Sequence, residues 1–356
     1  MSKLDPDQIK RIVVRAPNWV GDAVMSVAAF RELRRLFPHA HITVVSKPGT
    51  SDIFRDANFI DQVLVYDRRG LTSVWQLVRE WKQCRFDLAL LFQNAFEAAA
   101  ISFLARVPRR VGYDTERRGF LLTHPLVVPP WKNERHEIFY YLNLVAELER
   151  TLLGRSHSEE REPEFQIAVS AKRKNEARNL VADAGMEAER PLVLLCPGSV
   201  NSRAKRWPAE RYAALADQLA DCGATVVLIG SPGELDVSKQ VAGLARQPPL
   251  LLTGKTSVAE VTALISIADV LVTNDTGPAH IGAAVGTPTL VIFGPTNPLT
   301  TRPYGPGGEI IRRPPDCAPC MLRDCPIDHR CMTAITPEEV FERTHKSISH
   351  RVEVTV

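Results

Sequence analysis

The feature that most constrains this chain is a recurring order: a short apolar run, a polar loop, then an amphipathic helix. The first instance is Ile12-Val13-Val14, a loop over Ala16–Gly21, and a helix predicted from about Asp22 to Phe37. Met25, Ala28, Ala29, Leu33, Leu36 and Phe37 form that helix's apolar stripe, and Pro38 stops it. Further strands are predicted at His41–Val45, Val63–Tyr66 and Leu88–Phe92, with helices at Leu71–Cys84 and Ala95–Ala105. Strands alternating with helices have both sheet faces covered, so they call for a parallel, doubly wound sheet. Right-handed crossovers then fix most of the topology.

The pattern breaks once. Thr151–Pro163 reads TLLGRSHSEEREP, which is charged and without apolar period, as expected of a linker or surface loop near a domain boundary. It then resumes, with strands at Leu192–Cys196, Thr225–Ile229, Val270–Thr273 and Thr289–Phe293 and helices at Pro208–Ala220, Val258–Ile267 and Ala279–Val285. The expected fold class is α/β: two Rossmann-like domains, residues 1–165 and 166–336, facing across a cleft. The C-terminal helix and tail, residues 337–356, suit packing on either half, including back on the first. A chain of 356 residues, 45% apolar and 24% charged, has material for two cores. A net charge of +3 gives no reason to expect nucleic acid. No apolar run approaches the roughly 20 residues of a membrane span, and Met1–Lys10 lacks a signal-peptide core, so a cytoplasmic protein is expected.

Three strand-to-helix loops concentrate polar chemistry. In Asn18-Trp19-Val20-Gly21-Asp22, Gly21 permits close backbone approach, and Asp22 is either an N-cap carboxylate or a general base for a hydroxyl. Pro197–Pro208 brings Ser199, Asn201, Ser202, Arg203, Lys205 and Arg206 to a helix start, which is the equipment of an anion site. In Asn274–His280, Asp275 or Thr276 can cap, and backbone N–H groups of Thr276, Gly277 and Ala279 suit a pyrophosphate. His280 is either bonded to backbone in the core or in reach of a phosphate or sugar. Glu234, after the turn Gly230–Gly233, either holds ribose hydroxyls or complements a helix dipole. Arg106, Arg109, Arg110, Arg117 and Arg118 form a basic stretch, read as a solvated face or as a surface for an anionic acceptor or membrane. Cys317, Cys320, Cys325 and Cys331 are spaced C-x2-C-x4-C-x5-C, which leaves zinc, a redox pair and free buried thiols open. No G-x-G-x-x-G follows the first strand, and the P-loop, G-x-S-x-G and H-E-x-x-H patterns are absent.

Taken in order, the motifs WVGDAVM (Trp19–Met25), AKRWP (Ala204–Pro208), LTGKTSVAEVTALI (Leu252–Ile265), NDTGPAH (Asn274–His280) and FGPTNP (Phe293–Pro298) make the chain resemble the bacterial lipopolysaccharide heptosyltransferases, glycosyltransferase family 9. The resemblance runs from about Ile12 to Val340, and the Trp before VGD resembles the type that adds the second heptose. It implies a GT-B fold and inverting transfer from ADP-heptose to a heptosyl-Kdo2-lipid A acceptor. By the same resemblance Asp22 is the base and Lys205 contacts donor phosphate and sugar. Asp275 holds the heptose, Glu234 the ribose, and Thr276 and Gly277 the pyrophosphate. Ser199, Asn201, Ser202 and His280 complete the expected donor side; Asn18, Trp19, Gly21, Asn94 and Arg117 the acceptor side. Gln93-Asn94-Ala95 departs from the family's usual Pro-Asn-Ser. No cofactor is required by this chemistry, which leaves magnesium open as an activator and does not call for zinc at the cysteines. A monomer, peripheral on the inner face of the inner membrane, is implied. The alternatives are a first-heptose enzyme, a GT-B transferase with another acceptor, and a non-catalytic nucleotide-sugar binder.

Overall fold

The computed structural model describes residues 8–187 and 189–355; residues 1–7, Ala188 and Val356, which belong to the expected domains and tail, lie outside the described residues. The chain divides into two compact units after Ile167. In the first, β1 (Arg11–Arg15), α1 (Val20–Met25), α2 (Val27–Leu36), β2 (His41–Ser46), β3 (Gln62–Val65), α3 (Leu71–Cys84), β4 (Leu88–Leu91), α4 (Phe96–Leu104), β5 (Arg109–Tyr113), β6 (His124–Leu126) and α5 (Glu137–Leu153) follow in order. The six strands are parallel in the order β3-β2-β1-β4-β5-β6. The central strands carry unbroken apolar runs because helices cover both faces: Ile12, Val13, Val14 and Leu88 to Leu91 are all inaccessible.

The second unit repeats the plan. It contains α6 (Ala171–Asp183), β7 (Leu192–Cys196), α7 (Ala209–Asp221), β8 (Thr225–Leu228), α8 (Leu235–Leu244), β9 (Leu250–Leu251), α9 (Val258–Ile267), β10 (Val270–Asn274), α10 (Gly277–Val285), β11 (Thr289–Phe293), α11 (Pro298–Thr301), β12 (Gly308–Arg312), α12 (Arg330–Thr333) and α13 (Pro337–Thr355). Its strands, also parallel, run β12-β11-β10-β7-β8-β9. Counted from its own first strand, this is the same 3-2-1-4-5-6 sequence read from the other edge. Each sheet therefore reverses direction at one central pair, β1/β4 and β7/β10. Ligands of such sheets bind beyond the carboxyl ends of strands at that switch point.

The structure sharpens the sequence expectations at four places. The helix expected over Asp22–Phe37 is two helices: buried Ser26 turns its hydroxyl back to the Ala23 carbonyl (2.8 Å) at the break. The charged stretch Thr151–Pro163 is, from Gly154 on, the loop expected near the division between the units, and it is anchored along its length. Leu153 still belongs to α5, the Glu149 carboxylate gathers Ser156, His157 and Ser158, and Arg161 pairs with Glu32 of α2 (2.8 Å). The C-terminal helix does not return to the first unit. α13 packs on α7, β10 and β11, with Val340 fully buried among them. The short or half-exposed strands β5, β6, β9 and β12 have no strong apolar run to announce them. Among the described residues no helix is long and apolar enough to cross a membrane.

α2 is anchored by Phe30, whose inaccessible ring meets Phe54 edge-on at 5.1 Å and Phe92 at 5.0 Å. Phe92 directly follows β4, so this ring cluster ties α2 to the switch point. Phe30→Ala is expected to destabilise the first unit by about 3–5 kcal/mol, measured by chemical denaturation.

Candidate active site

In the second unit, the loops after β7 and β10 lie side by side because their strands pair. Asn274, the last residue of β10, is inaccessible and joins them. Its amide donates to the Pro197 and Gly198 carbonyls (2.9 and 3.1 Å) and its oxygen accepts the Trp207 N–H and the Tyr212 hydroxyl (3.0 and 3.2 Å). All four of its hydrogen-bond positions are thus used, three on backbone and one on the Tyr212 hydroxyl. The next residue, Asp275, is 3% exposed and receives Lys205 Nζ at 2.9 Å and the Thr296 hydroxyl at 2.6 Å. Lys205 Nζ also donates to the Asp275 carbonyl, at 3.2 Å. Its side chain stays a quarter exposed, so the cation is positioned and still open to solvent.

α10 begins at Gly277 with Thr276 as N-cap, and no side chain caps it. Neither expected capping arrangement forms: Asp275 is taken by Lys205, and the Thr276 hydroxyl lies near the Asn274 carbonyl (3.3 Å). Pro278 occupies the first turn without sacrificing a ladder bond. His280 is buried one turn further along. Glu234 accepts the Ser231 N–H and hydroxyl, both at 2.7 Å, which realises the capping role. It is 6% exposed and lies directly under Gly198, where an added Cβ would collide with its carboxylate. Ser199 is buried, its carbonyl accepting Arg206 Nη2 at 2.9 Å, and Asn201 is exposed. The Ser202 hydroxyl donates to the Leu322 and Arg323 carbonyls, so it braces a neighbouring segment.

In the first unit the loops after β1 and β4 are the matching pair. α1 starts at Val20 with Trp19 as N-cap, so Asp22 is not the cap that one reading made it. Trp19 is 57% exposed; Gly21 and Asp22 are half-buried. Tyr141 of α5 donates its hydroxyl to Asp22 Oδ1 at 3.1 Å. Burial first, and then the Asp22 charge, push the Tyr141 hydroxyl well above its ordinary range, so it remains a donor. Its neighbour Tyr140 accepts from the Asn94 amide at 3.0 Å. The Asn94 oxygen accepts Arg118 Nη2 at 3.2 Å. Arg118 is inaccessible and also binds the carbonyls of Gln93 (2.5 Å), Ala95 (3.2 Å) and Tyr113 (2.9 Å). Desolvation draws its guanidinium down to about 10. Asn18 is held by Arg15 Nη2 (3.3 Å) and through its carbonyl by the Thr50 hydroxyl (3.1 Å). The basic stretch is therefore not one solvated face: Arg118 is interior, Arg110 spends its guanidinium on the Leu121 and Val107 carbonyls, and Arg106 and Arg117 are exposed.

A half-exposed carboxylate on one switch point, and a lysine with an uncapped helix start on the other, suit deprotonation of a hydroxyl and binding of a diphosphate. The sequence pattern of glycosyltransferase family 9 (heptosyltransferase) matches residues 74–330. The chain belongs to that family. It is a glycosyltransferase with the GT-B type of fold. The lipopolysaccharide heptosyltransferase 2 of Salmonella typhimurium is 29% identical, over 95% of this chain and 99% of that protein. That of Escherichia coli is also 29% identical, over 93% and 97%. The solved E. coli ADP-heptose LPS heptosyltransferase II covers 96% of this chain and 99% of its own, with a TM-score of 0.81 and 25% identity. A family 9 structure from Veillonella parvula shows the same fold at a TM-score of 0.82 and 23% identity.

In this glycosyltransferase the cysteine segment braces the loop that carries Lys205. Ala204 N–H donates to the Arg323 carbonyl (2.9 Å), Arg203 pairs with Asp324 (2.6 Å), and His329 Nε2 meets the Ala204 carbonyl (2.6 Å). Among the described residues no group of three or more His, Cys, Asp or Glu is arranged to hold a metal. Cys317 is exposed, Cys320 and Cys325 are half-buried, and Cys331 packs in the core beside Met332, so no closed four-thiol set forms. Burial, then the nearby Cys320, Cys325 and Cys317, push the Cys331 thiol up to about 11.

Tyr140, Tyr141, Arg118 and Asn274 organise the site, yet the motif loops did not single them out as functional. The tandem tyrosine inside an otherwise apolar helix face was the available signal. Tyr141→Phe is expected to lower kcat about tenfold with KM nearly kept, because it removes a hydrogen bond to a charged group. Steady-state kinetics of the transferase decides this. In the native protein at pH 8, iodoacetamide is expected to label Cys317 and Cys222 at least about tenfold faster than Cys331, since only thiolate reacts; peptide mass spectrometry over time reads the order.

Proposed function

We propose that the chain is an inverting heptosyltransferase that moves heptose from ADP-heptose to the heptosyl-Kdo2-lipid A inner core of lipopolysaccharide, adding the second heptose. The observation that carries this reading is the 29% identity to a lipopolysaccharide heptosyltransferase 2 along 95% of this chain and 99% of that protein. The site supports it. Asp22 takes the proton of the acceptor hydroxyl as that oxygen attacks the anomeric carbon. The bond to the ADP oxygen breaks on the opposite face, which inverts the centre in one displacement. Charge gathering on the departing diphosphate is met by Lys205 and by the first N–H groups of α10, fixed before the reaction starts. Asp275 orients Lys205 and bonds the heptose, Glu234 the ribose, and Asn18, Trp19, Asn94 and Arg117 receive the acceptor. Magnesium acts only as an activator of a diphosphate already held by side-chain and helix charge. The enzyme works at the cytoplasmic face of the membrane that holds its acceptor.

The test is a mass-spectrometric transfer assay with ADP-heptose and Kdo2-lipid A, with and without one heptose already attached. One heptose is expected to be gained only by the heptosylated acceptor. Asp22→Ala is expected to lose at least about a thousandfold in kcat while ADP still binds. Transfer to the unheptosylated acceptor would make this a first-heptose enzyme. Full activity of Asp22→Ala would remove Asp22 as the base.

A further inference from the structure

α3 and α4 lie side by side on one face of the first sheet, and α4 is apolar on both its sides. Ala98, Ala99 and Ile101 face the core. Phe96, Phe103 and Leu104, spaced so that they share the opposite face, are exposed, Phe103 by 47%. Phe120, 75% exposed, sets its ring 6.2 Å from that of Phe96. On α3, Leu71 and Trp75 are exposed one turn apart, 74% and 51%. A soluble surface rarely gathers so many large apolar side chains, and such a patch marks a binding face.

Charge says what covers it. Between Asp67 and Arg117 seven basic and four acidic side chains are exposed, a surplus of three, when the whole chain carries only +3. Arg79, Lys82, Arg85 and Arg106 are exposed around the apolar face. Where α3 and α4 end, Lys82, Arg85 and Arg106 line a surface cavity of about 390 Å³ with Trp81 and one carboxylate, Asp87, which accepts the backbone N–H of Lys10 and Arg11. Trp81 is 1% exposed, and its indole N–H has no partner in the protein, a cost that an oxygen acceptor in the cavity would remove. Aromatic and leucine side chains ringed by cations, beside a cationic cavity with an unused donor, match the interface of an anionic bilayer and a lipid phosphate.

The geometry points to the outer face of α3 and α4 as a docking surface for an anionic lipid bilayer. Phe103, Leu104 and Trp75 enter the headgroup layer, and Lys82, Arg85 and Arg106 hold a lipid phosphate. Phe96 begins two residues after Asn94, and its N–H donates to Glu116 in the loop that Arg118 completes (3.1 Å). Docking would therefore bring the acceptor-side loop to the surface in which a lipid-anchored acceptor sits. This use of the surface rests on the heptosyltransferase reading; the docking itself does not.

The test is co-sedimentation of the full-length protein with vesicles of phosphatidylethanolamine and phosphatidylglycerol, against phosphatidylcholine alone. The protein should pellet with the anionic vesicles at least tenfold more strongly, and less so as salt rises. Phe103→Ser with Leu104→Ser, and separately Lys82→Gln with Arg85→Gln, should each weaken binding about tenfold while leaving the thermal melt and ADP binding unchanged. Transfer to acceptor embedded in vesicles should fall with binding, and transfer to a delipidated acceptor should not. Wild-type affinity in both variants, or no preference for anionic vesicles, would overturn the proposal. So would a loss of self-association in the Phe103/Leu104 variant with vesicle binding intact, which would assign the face to a second copy. Vesicle binding without any heptosyl transfer would sink the acceptor reading and leave the docking surface standing.

Discussion

The structure depends on one constraint used twice: each parallel sheet is wound outward from its first strand, then continued on that strand's other side. Right-handed crossovers force the helices of the two halves onto opposite faces. The carboxyl ends of β1 and β4, and of β7 and β10, are left to the loops that follow these strands, with α5 reaching those of the first unit through Tyr140 and Tyr141. The polar residues of all three motif loops fall there. The chemistry sits where the winding leaves backbone N–H groups and helix starts without a covering layer.

Those ends need internal support, because loops without strand partners hold no fixed shape. In the second unit Asn274 provides it, with four bonds to the loop after β7 and the start of α7. In the first unit Arg118 does so for residues 93–95. Each is buried and makes four side-chain hydrogen bonds, and leaving any one of these partners unpaired would cost about 1–3 kcal/mol. α5 adds a second brace through adjacent tyrosines, one to each loop of the first switch point. Rigid loops of this kind keep a carboxylate and a lysine in place before substrate arrives, which is how electrostatic groups contribute to rate.

Much of this was legible in the sequence. Buried parallel strands are continuous apolar runs, so β1, β2, β4, β7, β10 and β11 stood out. The loops that follow them named Asp22, Lys205 and Asp275, and the order of motifs named the family. β6, β9 and β12 did not stand out, since these edge strands are short or half-exposed and carry weak patterns, and β5 opens with two arginines in place of an apolar run. Arg118 read as one more surface cation among five, because sequence counts charges without saying which are interior. The spacing of the four cysteines left zinc, a redox pair and free thiols open, because spacing does not say which thiols lie at the surface and which in the core.

The sequence by itself determined the fold class, the two-part organisation and the loops that form the candidate site, because periodicity and local turn signals are properties of neighbouring residues. Only the tertiary structure decided that Asp22 is held by a tyrosine 119 positions away. The same holds for Lys205, which faces Asp275 across 70 residues, and for the last helix, which belongs to the second unit. Such pairings form when separate elements pack, and no local pattern encodes which elements will meet.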